Sequence, residues 1–169
     1  MRTSLFPIPG PWRGSLSIVP RPRGGDWLAD EAEAWRQTGI DTVVSLLEPD
    51  EAAQFDLLGE GAASEQNGIR FISFPIPDRG VPESTPAAVS LISDLAGALD
   101  RGRNIAVHCR QSIGRAGMIA AGILVAAGVS PEDSLEAVTA ARGAEVPETA
   151  QQREWIRSLP AGLAVVFSR

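Results

Sequence analysis

Residues Asn104–Gly117 read NIAVHCRQSIGRAG, and the fold follows from how this stretch has to run. Ile105-Ala106-Val107 is a short apolar run, and a second apolar segment begins near Ala116 and stops at Gly128, long enough for a helix. The residues from Cys109 to Arg115 therefore turn a strand into a helix. Such a turn aims successive backbone N–H groups, and the positive end of the helix dipole, at one point. That makes an anion site from the backbone alone. The same stretch holds the one histidine, His108, and the one cysteine, Cys109, of the 169-residue chain.

The side chains add a chemistry to the site. The thiolate is the nucleophilic form of cysteine, and a helix N-terminus beside arginine favours that form. Arg115 presents a planar fork to two oxygens of a phosphate and keeps its charge. A cysteine after a buried strand is, taken alone, more often a small core residue; its spacing to Arg115 turns the reading toward catalysis. His108-Cys109, the residues Arg110 to Gly114, and then Arg115 resemble the signature of the cysteine-dependent protein tyrosine phosphatases, in particular their compact dual-specificity and bacterial tyrosine phosphatase-like branch. The resemblance implies hydrolysis of a phosphorylated protein or small phosphoester through a phosphocysteine intermediate, with no cofactor and no metal. Phosphate would be bound by the loop Arg110, Gln111, Ser112, Ile113 and Gly114 through backbone N–H groups, and by the Arg115 side chain.

Outward from this stretch, strand and helix patterns alternate. Leu16–Val19, Asp41–Leu47 and Ile69–Phe74 read as strands. Helices are expected from Trp27 to about Thr38 behind Asp26 as N-cap, from Glu48-Pro49-Asp50 toward Gln66, and after Ser84 or Thr85 with Pro86 in the first turn. Two more are expected, from Ser130-Pro131 to about Arg142 and from Pro147-Glu148 onward with Trp155, Ile156 and Leu159 inward. The stretch through Pro22 is rich in proline and glycine and reads mostly as surface wrapping, and the apolar tail Leu163–Phe167 as packing on the domain. The expected fold class is α/β: one three-layer domain over residues 1–169, a mainly parallel central sheet of about four or five strands with helices on both faces. Ligands of such sheets bind at the carboxyl ends of the strands, where Cys109 lies.

A leaving oxygen needs a proton. Asp78, in the proline-rich loop Pro75–Pro86 beyond the Ile69–Phe74 strand, lies on the same sheet edge as Cys109, and the family resemblance points to the same residue. Glu83 and Asp50 are the rivals, and an ordinary turn aspartate is the plain alternative. His108, on a strand, alternates away from Cys109 and is expected to orient the loop or tune the thiolate. By resemblance, Gln152 places the hydrolytic water, with neighbouring Gln151 as the rival. Two positions depart from the family pattern: Ser112 stands where glycine is usual, with Gly114 available to take up the turn, and Ala116 stands where serine or threonine is usual. Ala116 lacks a hydroxyl that, by analogy, stabilises the leaving thiolate. A slow second step is implied, and with it an alternative, a phosphate-binding module with little turnover; a phosphoinositide phosphatase is a separate alternative, although inside the loop only Arg110 adds charge. A rhodanese-like sulfurtransferase is a further reading, since it too carries a loop cysteine on an α/β scaffold.

Composition bounds the partners. The formal charge of -6 argues against nucleic acid, whose phosphates select basic surfaces. The lone cysteine excludes an internal disulfide framework and implies a reducing, cytoplasmic setting. Pro7, Pro9 and Pro11 interrupt what would be the apolar core of a secretion signal, and the Ala116–Gly128 segment falls short of a bilayer span, so no membrane association is expected. Oligomeric state has no signature in the sequence.

Overall fold

A computed structural model of the chain describes residues 4–160 and Leu163. Five strands, β1 (Phe6–Ile8), β2 (Ser15–Ile18), β3 (Thr42–Ser45), β4 (Arg70–Ser73) and β5 (Asn104–His108), form one sheet in the order β1-β2-β5-β3-β4. The β2–β5, β5–β3 and β3–β4 pairs are parallel and β1–β2 is antiparallel. The helices are α1 (Leu28–Gln37), α2 (Pro49–Gln54), α3 (Glu60–Gln66), α4 (Thr85–Asp100), α5 (Gly114–Ala126), α6 (Pro131–Arg142) and α7 (Ala150–Arg157). They cover both sheet faces, the three-layer α/β arrangement that the alternating pattern implies.

Strand alternation sorts the two faces. Along β5, Ile105 and Val107, with Cys109 just beyond, join Leu16, Ile18, Val44 and Leu46 in a core closed by Ile92 and Leu95 of α4 and Met118 and Ile119 of α5. Ala106 points the other way, to Val43, Ile69 and Trp35 of α1. His108 shares that second face, its ring stacked 6.3 Å from that of Trp35. The expectation that His108 turns away from Cys109 therefore holds. Every residue of α5 is buried, which is why its sequence is apolar all round after Arg115. Gly117 allows the closest approach: a Cβ there would lie 1.8 Å from Val146 Cγ1.

Several boundaries differ from the sequence reading, each for a local reason. β1 escapes a proline count because Pro7 sits on an edge strand, where a missing N–H costs no ladder bond. Asp26 lies inside a single 3-10 turn, Gly25–Trp27, and does not cap α1, whose N-cap is Trp27. The expected helix from Glu48 to Gln66 is two helices. The break comes where Asp56 takes a φ of 57° and Leu57 is buried against Leu28 and Leu47, while Leu58 is left 74% exposed. Ser84 and Ser130 cap α4 and α6 through their hydroxyls as expected. The last helix starts at Ala150 behind Thr149, not at Pro147. Trp155, Ile156 and Leu159 are buried, and so is Leu163; residues 164–167 of the expected apolar tail lie outside the described residues.

The parallel strands all run the same way, so their carboxyl ends and following loops meet at one edge. Val19–Arg21 follows β2, Leu46–Glu51 follows β3, Phe74–Asp78 follows β4 and Cys109–Arg115 follows β5.

Candidate active site

The loop Cys109–Arg115 is held from outside by its carbonyls. Arg21 Nη1 donates to the Arg110 carbonyl at 3.0 Å, Arg142 Nη2 to that of Gln111 at 3.4 Å and Arg142 Nε to that of Ser112 at 3.0 Å. In a trans peptide the N–H points opposite to the C=O, so these bonds turn the N–H groups of Gln111, Ser112 and Ile113 to the inner side. Among the described residues, the N–H groups of Arg110 to Gly114 donate to no protein acceptor. Five donors without partners at the N-terminus of a buried helix form a cradle for an anion. Arg142→Ala, which frees two of the three carbonyls, is expected to lower kcat/KM by about tenfold or more through misplacement of the loop. Arg142→Lys recovers only part, because an ammonium cannot fork to both carbonyls; steady-state kinetics on an aryl phosphate checks both.

Ser112 takes the left-handed turn itself, with φ 56°, so the turn does not pass to Gly114. A residue with a Cβ pays about 1–2 kcal/mol for that conformation. The hydroxyl offsets part of the cost: it donates to the Val19 carbonyl at 2.5 Å and accepts from Cys109 N at 3.4 Å. Serine at this place thereby ties the loop to the end of β2, a bond glycine cannot make.

Arg115, in the first turn of α5, is 1% exposed and is clamped from several sides. Its Nη1 and Nη2 meet Glu51 Oε1 and Oε2 at 2.7 and 2.9 Å, a bidentate pair. Nη1 also donates to the Ile76 carbonyl at 2.9 Å and reaches that of Leu46 at 3.4 Å. Nη2 lies 3.2 Å from Asp78 Oδ1. Burial alone lowers the pKa of this guanidinium; the Glu51 hydrogen bond, then the Cys109 and Glu51 charges and that of Asp78, outweigh it and raise it. For Glu51 burial pushes the carboxyl up, but the Arg115 bond, the Glu48 N–H and the charges of Arg115 and Arg110 bring it below the usual carboxylate range.

Of Asp78, Glu83 and Asp50, it is Asp78 that the fold brings to Arg115, its side chain 44% exposed. Glu83 and Asp50 are exposed, and neither pairs with Arg115. The Asp78 loop is pinned twice, once to α7 and once to the segment just before it. Gln152 Nε2 donates to the Gly80 carbonyl at 3.0 Å, and Arg79 Nη1 pairs with Glu148 Oε2 at 3.2 Å. Gln152 is fully buried against Gly114, where a Cβ would lie 3.1 Å from its Oε1, whereas Gln151 faces outward. The Gln152 oxygen also accepts from Glu148 N and Thr149 N, at 3.1 and 3.3 Å. Its oxygen is therefore taken up by the cap of α7, while its nitrogen keeps a second N–H beyond the one bonded to Gly80 in the Asp78 loop. His108 Nε2 bonds Glu60 Oε1 at 2.6 Å, and Nδ1 lies 3.4 Å from the Cys109 carbonyl, so a buried dyad holds the loop at its start.

Glu51, Glu60, Arg21 and Arg142 are site residues that the sequence did not single out. Only Glu51 leaves a local trace, since Glu48-Pro49-Asp50-Glu51 has the spacing of a capping box and Glu48 N donates to Glu51 Oε1 at 3.0 Å. Among the described residues no group of three or more His, Cys, Asp and Glu side chains is placed to hold a metal ion, and no helix is long and apolar enough to cross a membrane.

The profile of a family described as "Tc-R-P: Polymorphic toxin system, DSP-PTPase phosphatase" matches residues 19–129, which span the strands β3, β4 and β5, the Asp78 loop and the whole cradle. The chain is 24% identical over 143 residues to cyclin-dependent kinase inhibitor 3 of Rattus norvegicus, covering 83% of this chain and 67% of that protein. It is 28% identical over 162 residues to 197R of Invertebrate iridescent virus 6, whose name proposes a tyrosine phosphatase, covering 94% of this chain and 57% of the viral protein. The chain thus spans about two thirds of the first relative and little more than half of the second. A crystal structure of kinase associated phosphatase, with its catalytic-site cysteine replaced by serine, superposes with a TM-score of 0.87 at 18% identity over 97% of both chains, which establishes a shared fold.

Proposed function

The chain belongs to the polymorphic-toxin-system DSP-PTPase phosphatase family, and on that premise we propose that it hydrolyses phosphotyrosine, and phosphoserine or phosphothreonine, with Cys109 as nucleophile. The observation that carries the reading is the cradle of unpartnered N–H groups closed by the Arg115 fork and by Asp78. In the first step Cys109 Sγ bonds phosphorus, the P–O bond to the leaving group breaks, and Asp78 gives that oxygen its proton. In the second, water attacks the thiophosphate, Asp78 takes the water's proton and the thiolate leaves. The N–H groups of Arg110, Gln111, Ser112, Ile113 and Gly114, and Arg115 through its charge and the Nε–H that Glu51 does not engage, carry the charge of the three non-bridging oxygens. His108 is a positioning residue for the loop, and Gln152 for the acid loop or the water. We read residues 1–169 as one catalytic domain, because a single sheet serves the two core clusters packed on its faces. The substrate is a phosphorylated protein or small phosphoester, and a reducing, cytoplasmic setting suits the free thiol of Cys109.

Ala116 decides which step limits the rate. It is fully buried in the first turn of α5, with no hydroxyl to stabilise the departing thiolate. Rapid mixing with an aryl phosphate is expected to release about one equivalent of phenol per active site in a burst, followed by slow turnover. Ala116→Ser is expected to raise the slow rate about tenfold, the value of one hydrogen bond to a charged group. A linear release from the first turnover, unchanged by that substitution, counts against a limiting second step. The same buried alanine favours a second reading, a phospho-binding module, which phosphopeptide binding with no phenol release from wild-type protein would support.

A further inference from the structure

Phe55, in the turn between α2 and α3, carries two arginines. Arg21 Cζ lies 3.6 Å from its ring centroid and Arg110 Cζ lies 5.2 Å from it, while Arg21 Nη1 donates to the Arg110 carbonyl. Arg110 is the residue directly after Cys109. The wall that holds Arg21 is tightly packed on the turn: a Cβ on Gly24 would lie 2.0 Å from the Phe55 carbonyl oxygen, and Gly25 N donates to the Asp56 carbonyl at 2.9 Å. Two guanidiniums are thereby fixed at the edge of the cradle.

Their charges are not neutralised. Among the described residues neither Arg21 nor Arg110 makes an ion pair, and the acid that acts on both, Glu51, has both oxygens on Arg115. Burial, and then the charge of Arg110, lowers the pKa of Arg21. A guanidinium stacked on a ring keeps its in-plane N–H donors for a partner, and a planar fork fits the two oxygens of a phosphate or carboxylate. Like charges held together beside an anion site, in a protein of net charge -6, call for an anion. That net charge also disfavours approach to an anionic bilayer, whereas a peptide can present two charges locally.

We infer that Arg21 and Arg110, stacked on Phe55, form a second anion subsite beside the cradle, which takes a phosphate or carboxylate carried by a peptide next to its scissile phosphate. Phosphate is the better occupant, having more oxygens for two forks. The inference rests on the phosphatase reading for the first phosphate.

The test is binding to the full chain carrying Cys109→Ser, with three peptides of one sequence: phosphotyrosine flanked by alanine, by glutamate and by phosphoserine. Affinity is expected to rise about tenfold from the first to the third, with glutamate between them, and the gain should shrink with added salt. Adding Arg21→Ala is expected to reduce the spread to about twofold or less, and Arg21→Lys, which keeps a charge without the fork, to leave part of it. Equal binding of all three peptides, or the same spread in the Arg21→Ala protein, overturns the subsite. Tighter binding to vesicles containing a phosphatidylinositol bisphosphate than to the doubly phosphorylated peptide, lost with Arg21→Ala, overturns the peptide as its occupant. Wild-type turnover of an aryl phosphate is measured in parallel. Turnover without a peptide preference removes the subsite alone; a peptide preference without turnover keeps the subsite and removes the hydrolase.

Discussion

Cys109→Ser is expected to eliminate turnover of an aryl phosphate, by at least about three orders of magnitude, and Asp78→Asn to lower kcat by about two to three orders. The first effect is expected to be larger because the proposed covalent intermediate forms on Cys109, the chain's one cysteine, and there is no lysine to replace it. The second depends on the leaving group. A good leaving group needs little help from a proton donor, so Asp78→Asn should cost far less on a nitrophenyl ester than on a phenyl or alkyl phosphate. Cys109→Ser protein should keep its affinity for phosphopeptide, because the N–H cradle and Arg115 are intact. Undiminished turnover in either variant would falsify the corresponding assignment.

Glu51→Ala is expected to destabilise the fold by about 3 kcal/mol, the low end of the cost of breaking a buried ion pair, since Asp78 and the Ile76 carbonyl stay on Arg115. Arg115 is 1% exposed and Glu51 7% exposed, so neither has water to fall back on. Glu51→Gln keeps one acceptor and should cost less, while still loosening the fork that the cradle needs. The pH dependence has a definite sign. The Glu51 carboxyl titrates below its ordinary range in the fold, against burial, mainly through the Arg115 hydrogen bond. Its contribution is therefore present above the ordinary carboxylate pKa, about 4.3, and is lost as pH falls through the folded value. Thermal melting of wild type should drop in that acid window, and Glu51→Gln should show a shallower drop. Equal melting temperatures of wild type and Glu51→Ala at neutral pH would show that the pair holds geometry without adding stability.

Much of the architecture is legible along the chain. The apolar run Ile105–Val107, the turn and the all-apolar segment after Ala116 determine a strand, an anion loop and a buried helix from a few consecutive residues. Caps at Ser84 and Ser130 are equally local, a hydroxyl and an N–H three residues apart. Where local rules misled, a long-range demand had overridden them. Leu57 is drawn into a cluster with Leu28 and Leu47, which breaks the helix expected up to Gln66. Pro7 is tolerated because β1 is an edge strand, a property of the sheet and not of the residue.

The stretch Asn104–Gly117 carries its pattern in sequence: a cysteine, N–H donors and an arginine at short, readable spacings. Its surroundings are another matter. That Asp78 rather than Glu83 or Asp50 meets Arg115, that Glu51 clamps the same guanidinium, that Gln152 and not Gln151 faces Gly114, and that Arg21 and Arg142 hold the loop's carbonyls all depend on residues tens of positions apart. The parallel strand order brings four loops to one sheet edge, and only there does packing select which side chain of each loop points inward. Spacing along the chain fixes a backbone turn because its bonds span a few residues; it leaves open contacts whose partners meet only after the sheet has formed.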